Sequence, residues 1–121
     1  MQANRVSYNL AVWEGDRPKN RKAAQAEFAA LIEKYQNVKR SPKPTPAIRR
    51  YVEALVAKWP DTGEDYENGP WADAPLINNA TGPIFYFAMR FSQCEEASRF
   101  AAKLAAKHKL VCFDPQSGKL R

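Results

Sequence analysis

Residues 82–116 carry the pattern that most constrains the fold of this sequence: a strand, a helix and a second strand in direct succession. Residues 84–91 alternate between the two faces of a strand and are rich in aromatic side chains. A helix is predicted over residues 92–109, because apolar residues recur every three or four positions and charged ones lie opposite. Ser92 and Glu95 fit a capping box at its start. The core face of the first strand is expected to hold Phe85, Phe87, Met89 and Phe91.

The preceding half of the chain predicts one more strand and two helices. Residues 6–13 alternate with period two, which indicates a strand with one apolar face. Residues 20–36 and 46–59 each carry an apolar stripe at helical spacing, and Thr45 followed by proline is typical of a helix start. The expected core face of the first strand consists of Val6, Tyr8, Leu10 and Val12.

Together these elements predict one α+β domain spanning residues 1–121. Residues 75–79 are expected to form a short strand, which a hairpin at Gly82-Pro83 joins to the long one. The order β-α-α-β-β-α-β then predicts a mostly antiparallel sheet with helices packed on one face. It is similar to a ferredoxin-like arrangement whose first crossover helix is doubled. The second face of the long strand is also apolar, so another element or a partner is expected to cover it.

The charges of the chain are segregated along the sequence. The formal net charge is +6. Residues 17–58 contain eleven Lys or Arg and three Glu, whereas residues 60–74 contain five acidic residues and no Lys or Arg. We therefore expect a basic body that carries an acidic loop.

No set of residues predicts catalysis. His108 is the only histidine, and its place at the end of an apolar helical stripe favours packing over a role as a base. The five glycines lack the spacing of phosphate-binding loops, and the two cysteines lack metal-ligand spacing. We expect no enzyme activity, no cofactor and no metal. No apolar run reaches the roughly 20 residues of a membrane span, and we expect a cytoplasmic protein without a membrane partner.

The acidic loop is the predicted partner-binding surface. Aromatic side chains beside acids in a loop shaped by Pro and Gly are typical of a protein-binding hot spot. For Trp71 the alternative is that its ring folds back onto the core. The exposed face of the long strand adds two further candidates. The predicted partner-binding residues are Asp61, Glu64, Asp65, Tyr66, Glu67, Trp71, Asp73, Tyr86 and Arg90.

Several motifs resemble a family of small bacterial immunity proteins. The chain opens with Tyr8-Asn-Leu-Ala-Val-Trp-Glu-Gly15 and closes with Leu110-Val-Cys-Phe-Asp-Pro-Gln116. Between them lie Trp59-Pro60, Pro70-Trp71-Ala-Asp73 and Gly82-Pro83. Immunity proteins of this kind belong to interbacterial polymorphic toxin systems, of the Rhs, contact-dependent or type VI kind. The resemblance implies a protein that binds a cognate secreted toxin and occludes its active site, as a monomer or a 1:1 complex.

Two alternatives stay open at this point. The toxin could be an ADP-ribosyltransferase, a nuclease or a deaminase, and the basic net charge fits least well with a nuclease, whose inhibitors usually present acids. The second alternative is a nucleic-acid-binding module that uses the basic region 17–58. We expect nucleic acid to be the less suitable partner, because no recognised binding motif occurs in that region.

Overall fold

The chain folds around one antiparallel sheet. The computed structural model describes residues 7–121, so Val6, expected in the first strand, lies outside the described residues. In chain order the elements are β1 (Ser7–Trp13), α1 (Arg21–Leu31), a π-helical turn (Ile32–Gln36), α2 (Pro46–Lys58), α3 (Gly63–Asn68), a 3-10 turn (Leu76–Asn79), β2 (Ala80–Thr81), β3 (Ile84–Arg90), a 3-10 turn (Phe91–Gln93), α4 (Cys94–Lys107), β4 (Val111–Asp114) and β5 (Lys119–Leu120).

The strand order across the sheet is β2-β3-β1-β4-β5, and each neighbouring pair is antiparallel. β1 is central and pairs with β3 from Ser7 opposite Arg90 to Trp13 opposite Ile84. Because β1 lies between β3 and β4, the connection through α4 is a split β-α-β unit of the ferredoxin-like kind. The predicted α+β class and antiparallel sheet are confirmed. β5 is a further strand that the sequence did not predict.

One face of the sheet packs against α2 and α4. Its centre is the stacked pair Phe85 and Phe87, whose ring centroids are 4.3 Å apart. The hydroxyl of Tyr51, on α2, donates to the main-chain oxygen of Ala101 on α4 at 2.7 Å and joins the two helices. Small residues on α4 allow this close approach. The main buried side chains on this face are Leu10, Val12, Ile48, Tyr51, Leu55, Trp71, Phe85, Phe87, Met89, Ala97, Ala101 and Ala105.

The other face packs against α1, so the expectation of helices on one face holds for α2 and α4 but is wrong for α1. Trp13 is fully buried there, 6.3 Å from the ring of Phe28 and 5.9 Å from that of Phe113. β1 and β3 are apolar on both faces, since Ala11 and Ile84 are also buried on the α1 side. A sheet with two apolar faces needs cover on both. A helix of this chain, not a partner, covers the second face.

α1 and α2 begin after the cap residues that the sequence predicted, Asn20 and Thr45. The side chain of Asn20 accepts a hydrogen bond from the Ala23 N–H at 2.8 Å, and Thr45 Oγ1 accepts one from the Ile48 N–H at 3.3 Å. Each bond satisfies a backbone donor that the first helical turn leaves free. The predicted helices over 20–36 and 46–59 are thereby confirmed, with the last turn of the first one π-helical.

Two local predictions are wrong. Residues 75–79 are mainly a 3-10 turn, and the hairpin strand is only Ala80–Thr81, because Gly82 adopts a φ of 51° and turns the chain immediately after it. α4 has no capping box: Gln93 is the N-cap, and no side chain bonds there. β3 ends at Arg90, so Phe91 lies in a 3-10 turn with 48 % of its surface exposed instead of on the core face.

Candidate partner-binding site

The acidic loop contains the short helix α3, which the sequence did not predict. Glu64 and Asp65 lie in its first turn, where negative charge is favoured by the helix dipole. Their side chains and that of Glu67 are exposed. Within residues 7–121 none of the three makes a side-chain hydrogen bond or an ion pair. Their full charge therefore faces solvent.

Arg90 fastens α3 to the end of β3. Its Nη1 lies 3.0 Å from the main-chain oxygen of Tyr66, 2.7 Å from that of Glu67 and 2.8 Å from that of Gly69. The Tyr66 and Glu67 carbonyls lie in the last turn of α3 and the Gly69 carbonyl at its C-cap, where a helix has fewer intrahelical donors than acceptors. The guanidinium also stacks on the Tyr66 ring, 4.8 Å from its centroid. The charge of Arg90 is thus used within the protein, and a role as a free partner contact is not supported.

Gly69 allows α3 to end close to its own first turn. A Cβ atom at this position would lie 2.7 Å from the main-chain oxygen of Asp65, which is closer than atoms approach without a shift. The main-chain oxygen of Gly69 also accepts a hydrogen bond from Gln93 Nε2 at 2.9 Å. This contact places the start of α4 beside the end of α3.

Trp71 belongs to the core, so its predicted role as an exposed partner contact is wrong. Its side chain is fully buried, and its Nε1 donates to the main-chain oxygen of Trp59 at 2.6 Å. The ring packs edge to face against Trp59 and Phe87, at 5.9 and 6.2 Å between centroids. The Ala72 N–H donates to the main-chain oxygen of Ala88 at 3.0 Å, so this segment borders β3 at the sheet edge. The alternative of a ring folded back onto the core is the one observed.

Three other candidates also have structural partners. Asp61 Oδ2 accepts from the Leu76 N–H at 2.8 Å, and Asp73 Oδ1 accepts from Asn79 Nδ2 at 3.1 Å. Tyr86 is half-buried beneath α1, where its ring meets Phe28 edge to face at 5.3 Å. The structure therefore brings Glu64, Asp65, Tyr66, Glu67 and Arg90 together and leaves Tyr86 on another surface.

Sequence reasoning missed two acids that extend this site. Glu95 and Glu96 are exposed in the first turn of α4, next to the Gln93–Gly69 contact. The sequence signal was present, because both acids precede the basic half of α4, but Glu95 was assigned to a capping box. We define the acidic surface as Glu64, Asp65, Glu67, Glu95 and Glu96.

A separate polar cluster lies near the carboxyl end of the chain. The Tyr8 hydroxyl donates to Asp114 Oδ2 at 2.6 Å and accepts from Arg121 Nη1 at 2.8 Å. Burial and the bond to Asp114 raise the pKa of Tyr8. Burial alone would raise the pKa of Asp114, but bonds from Tyr8 and from the N–H groups of Gln116 and Ser117 lower it overall. The cluster therefore holds an ionised Asp114 that closes the β4–β5 turn.

The other groups considered for chemistry are used in packing. His108 is the C-cap of α4, and its ring meets Tyr51 edge to face at 5.8 Å. Burial raises the pKa of the Cys112 thiol to about 12, which keeps it protonated. Among residues 7–121 no group of three or more His, Cys, Asp or Glu side chains is arranged to hold a metal ion. None of the helices in this part of the chain has the length and apolar character needed to cross a membrane.

Comparisons with known proteins found no matching family model, no matching curated protein and no matching solved structure.

Proposed function

We propose that this protein is an immunity protein that neutralises a cognate toxin domain by binding it one to one through the acidic surface. It acts by occluding the toxin's active site and performs no catalysis of its own. The sequence motifs that resemble immunity proteins support the class of function. The acidic surface supports the mode of binding, because Arg90 fastens α3 to the sheet while the acids of α3 stay exposed.

The observation that carries this proposal is the rigid display of uncompensated acids. Arg90 binds three carbonyls at the end of α3, and buried Trp71 fixes the chain that follows. Glu64, Asp65 and Glu67 make no side-chain hydrogen bond or ion pair among residues 7–121. A surface that is already ordered loses little conformational entropy on binding. Charges arranged in this way steer a basic partner and fix its orientation.

The partner surface is expected to be rich in Lys and Arg. A toxin that binds nucleic acid or a phosphorylated cofactor offers such a surface around its active site. Nuclease, deaminase and ADP-ribosyltransferase toxins all meet this description, and the toxin class stays open among them. The basic net charge is no obstacle, because the acids form a local surface of opposite sign.

The test is a triple charge reversal, Glu64→Lys, Asp65→Lys and Glu67→Lys, assayed against the cognate toxin domain. We expect affinity to fall about tenfold or more, with loss of protection of cells that express the toxin. Stability should change by no more than about 1 kcal/mol, since the charges are exposed and only the helix dipole term is lost. Isothermal titration and growth assays measure the two effects.

The matched control reverses three exposed acids elsewhere: Asp16, Glu33 and Glu53. It changes the net charge by the same amount, so general electrostatic attraction is altered equally in both variants. Retained binding by the control and lost binding by the α3 variant would support the proposal. Full protection by the α3 variant at normal expression would exclude the acidic surface as the contact.

A nucleic-acid-binding function is the second candidate. Arg49 and Arg50 are exposed near the start of α2 and make no side-chain hydrogen bond or ion pair within residues 7–121. The aromatic rings near the other end of α2 are poor stacking platforms, because Lys58 lies over both Trp59 and Phe100. The basic residues thus offer phosphate contacts without base contacts.

We therefore expect only weak, non-specific binding of DNA or RNA. Fluorescence anisotropy with labelled oligonucleotides should show affinity that falls steeply between about 50 and 200 mM salt, as counterion release requires. Replacing Arg49 and Arg50 by Gln should weaken that binding equally for all sequences. A tight, sequence-selective complex at the upper salt concentration would make nucleic acid the primary partner.

A further inference from the structure

A cleft of about 290 Å³ lies between the loop after β1, the end of α4 and the start of β4. Three cations line it, Arg17, Lys109 and Arg121, and no acidic side chain does. Its apolar lining includes Ala102, Leu110 and Cys112. It is separate from the acidic surface, since it adjoins the last turn of α4 and the acids lie at the first.

Lys109 adopts a backbone conformation that favours glycine. Its φ is 59°, and it follows the C-cap of α4 in a Schellman motif. The Leu110 N–H bonds the Ala105 oxygen at 2.8 Å, and the Lys109 N–H bonds the Ala106 oxygen at 3.1 Å. Glycine is the usual residue at this position because it adopts a left-handed conformation without strain. Lys107 already supplies a cation to the last turn of the helix. Lysine at this position places a cationic side chain in the lining of the cleft.

The other two cations are positioned by main-chain and hydroxyl contacts. Arg121 Nη1 donates to the Tyr8 hydroxyl, and Arg17 Nη1 lies 3.4 Å from the main-chain oxygen of Arg121. Burial raises the pKa of the Cys112 thiol, so this part of the lining is uncharged and does not repel an anion.

The charge and size of the cleft indicate its ligand. Three cationic side chains and no acidic side chain line the cleft, which favours an anionic ligand, and Arg binds phosphate in a bidentate manner. The volume is at the small end of the roughly 300–1,000 Å³ range of ligand pockets. We propose that the cleft binds a small phosphate ester, with its phosphate on Arg17, Lys109 and Arg121 and its apolar part against Ala102 and Leu110. This proposal is independent of toxin binding.

Phenyl phosphate and inorganic phosphate are suitable probes, titrated by NMR into the full chain at a constant ionic strength of about 0.15 M. We expect saturable 1:1 binding of phenyl phosphate, tighter than that of inorganic phosphate, with shifts at the amides of Lys109 and Cys112. Lys109→Gly and Arg17→Gln should each weaken binding about tenfold, because each removes a charge-assisted bond. The Tm of Lys109→Gly should be unchanged or higher, since glycine suits its conformation.

Lys107→Gln is the matched control, because Lys107 is an exposed lysine in the last turn of α4 that does not line the cleft. Its affinity for phenyl phosphate should stay within about twofold of the unmodified protein. Equal losses in Lys107→Gln and Lys109→Gly would show general attraction to a basic surface and overturn the proposal. Absence of saturable binding would do the same. Equal affinity for phenyl phosphate and inorganic phosphate would indicate that the cleft binds free phosphate and would contradict the proposal of a phosphate ester.

Discussion

Replacement of Trp71 by alanine is expected to lower the free energy of unfolding by about 3–5 kcal/mol, the usual cost of removing a large buried ring. The ring has no exposed surface and contacts Trp59 and Phe87. Alanine would leave a cavity between α2 and β3 and would remove the Nε1 donor of the Trp59 carbonyl. Urea unfolding monitored by far-ultraviolet circular dichroism measures the loss.

Trp71→Phe separates packing from hydrogen bonding. It retains most of the ring but leaves the Trp59 carbonyl without its donor, so we expect an intermediate loss of about 1–3 kcal/mol. Val38→Ala serves as a control for apolar truncation at a site with 39 % exposure, and its effect should stay within about 0.5 kcal/mol. A loss below about 1 kcal/mol for Trp71→Ala would contradict the full burial of its ring.

The same variant distinguishes a core role from a contact role. Because Trp71 is buried, Trp71→Phe should bind the toxin with unchanged affinity once it is folded, although it is less stable. If Trp71 contacted the toxin, the affinity for the toxin would fall even under conditions where Trp71→Phe is fully folded. The sequence could not decide between these roles, since the partners of Trp71 lie on α2 and β3, and no local pattern reports long-range contacts.

Local periodicity was sufficient to predict the strand–helix–strand unit. The alternation of Phe85, Phe87 and Met89 and the alanine-rich stripe of α4 each have a period that only one secondary structure satisfies. Caps were partly predictable: Asn20 and Thr45 act as expected, whereas Ser92 does not, because β3 ends in a 3-10 turn that displaces the helix start. Helix boundaries therefore depend on the preceding element as well as on the cap residue.

The face that each helix covers was not predictable from its own stripe. α1 and α2 have similar amphipathic patterns, and nothing in either pattern states which side of the sheet it meets. The information lay in the strands: Trp13 and Ile84 are apolar residues on the side opposite Val12 and Phe85. Two apolar faces required two covering layers, and the doubled crossover supplied a helix for each.

The charge pattern of the sequence located the candidate site, but it did not predict the contacts that hold the site together. Segregation of the acids predicted residues 61–73 as the acidic region, and the exposed Glu64, Asp65 and Glu67 agree with that. The roles of Arg90 and Asp61 depend on bonds to main-chain atoms 15 to 24 residues away. Main-chain donors and acceptors carry no sequence signal, so such bonds cannot be inferred from residue types.

Arg90→Met is expected to release α3 and to lower the free energy of unfolding by about 2–3 kcal/mol, since hydrogen bonds to charged groups contribute about 1.5–3 kcal/mol. Methionine keeps an apolar stem on Tyr66 but has no donor for the carbonyls of Tyr66, Glu67 and Gly69. Those carbonyls lie at the end of α3, a six-residue helix that has little stability of its own. Hydrogen exchange at the amides of Tyr66 and Gly69 should therefore become much faster. The amides of β1 should lose only the protection that corresponds to the lower global free energy of unfolding.

Arg90→Lys tests whether charge alone is sufficient. An ammonium group restores the positive charge at the helix end but lacks the planar guanidinium that stacks on Tyr66, so we expect a smaller loss of about 1 kcal/mol and partial protection of α3. If toxin binding depends on the rigid display of the acids, affinity should be highest for the unmodified protein, lower for Arg90→Lys and lowest for Arg90→Met, although neither substitution alters the acids themselves. The order arises because a loosened α3 must be ordered again on binding, at a cost in conformational entropy. Unchanged hydrogen exchange of the α3 amides in Arg90→Met would show that α3 is held without Arg90, by Trp71 and by the hydrogen bond from the Tyr66 hydroxyl to the main-chain oxygen of Ala72. Equal affinity in all three proteins would show that toxin binding does not depend on the rigidity of α3.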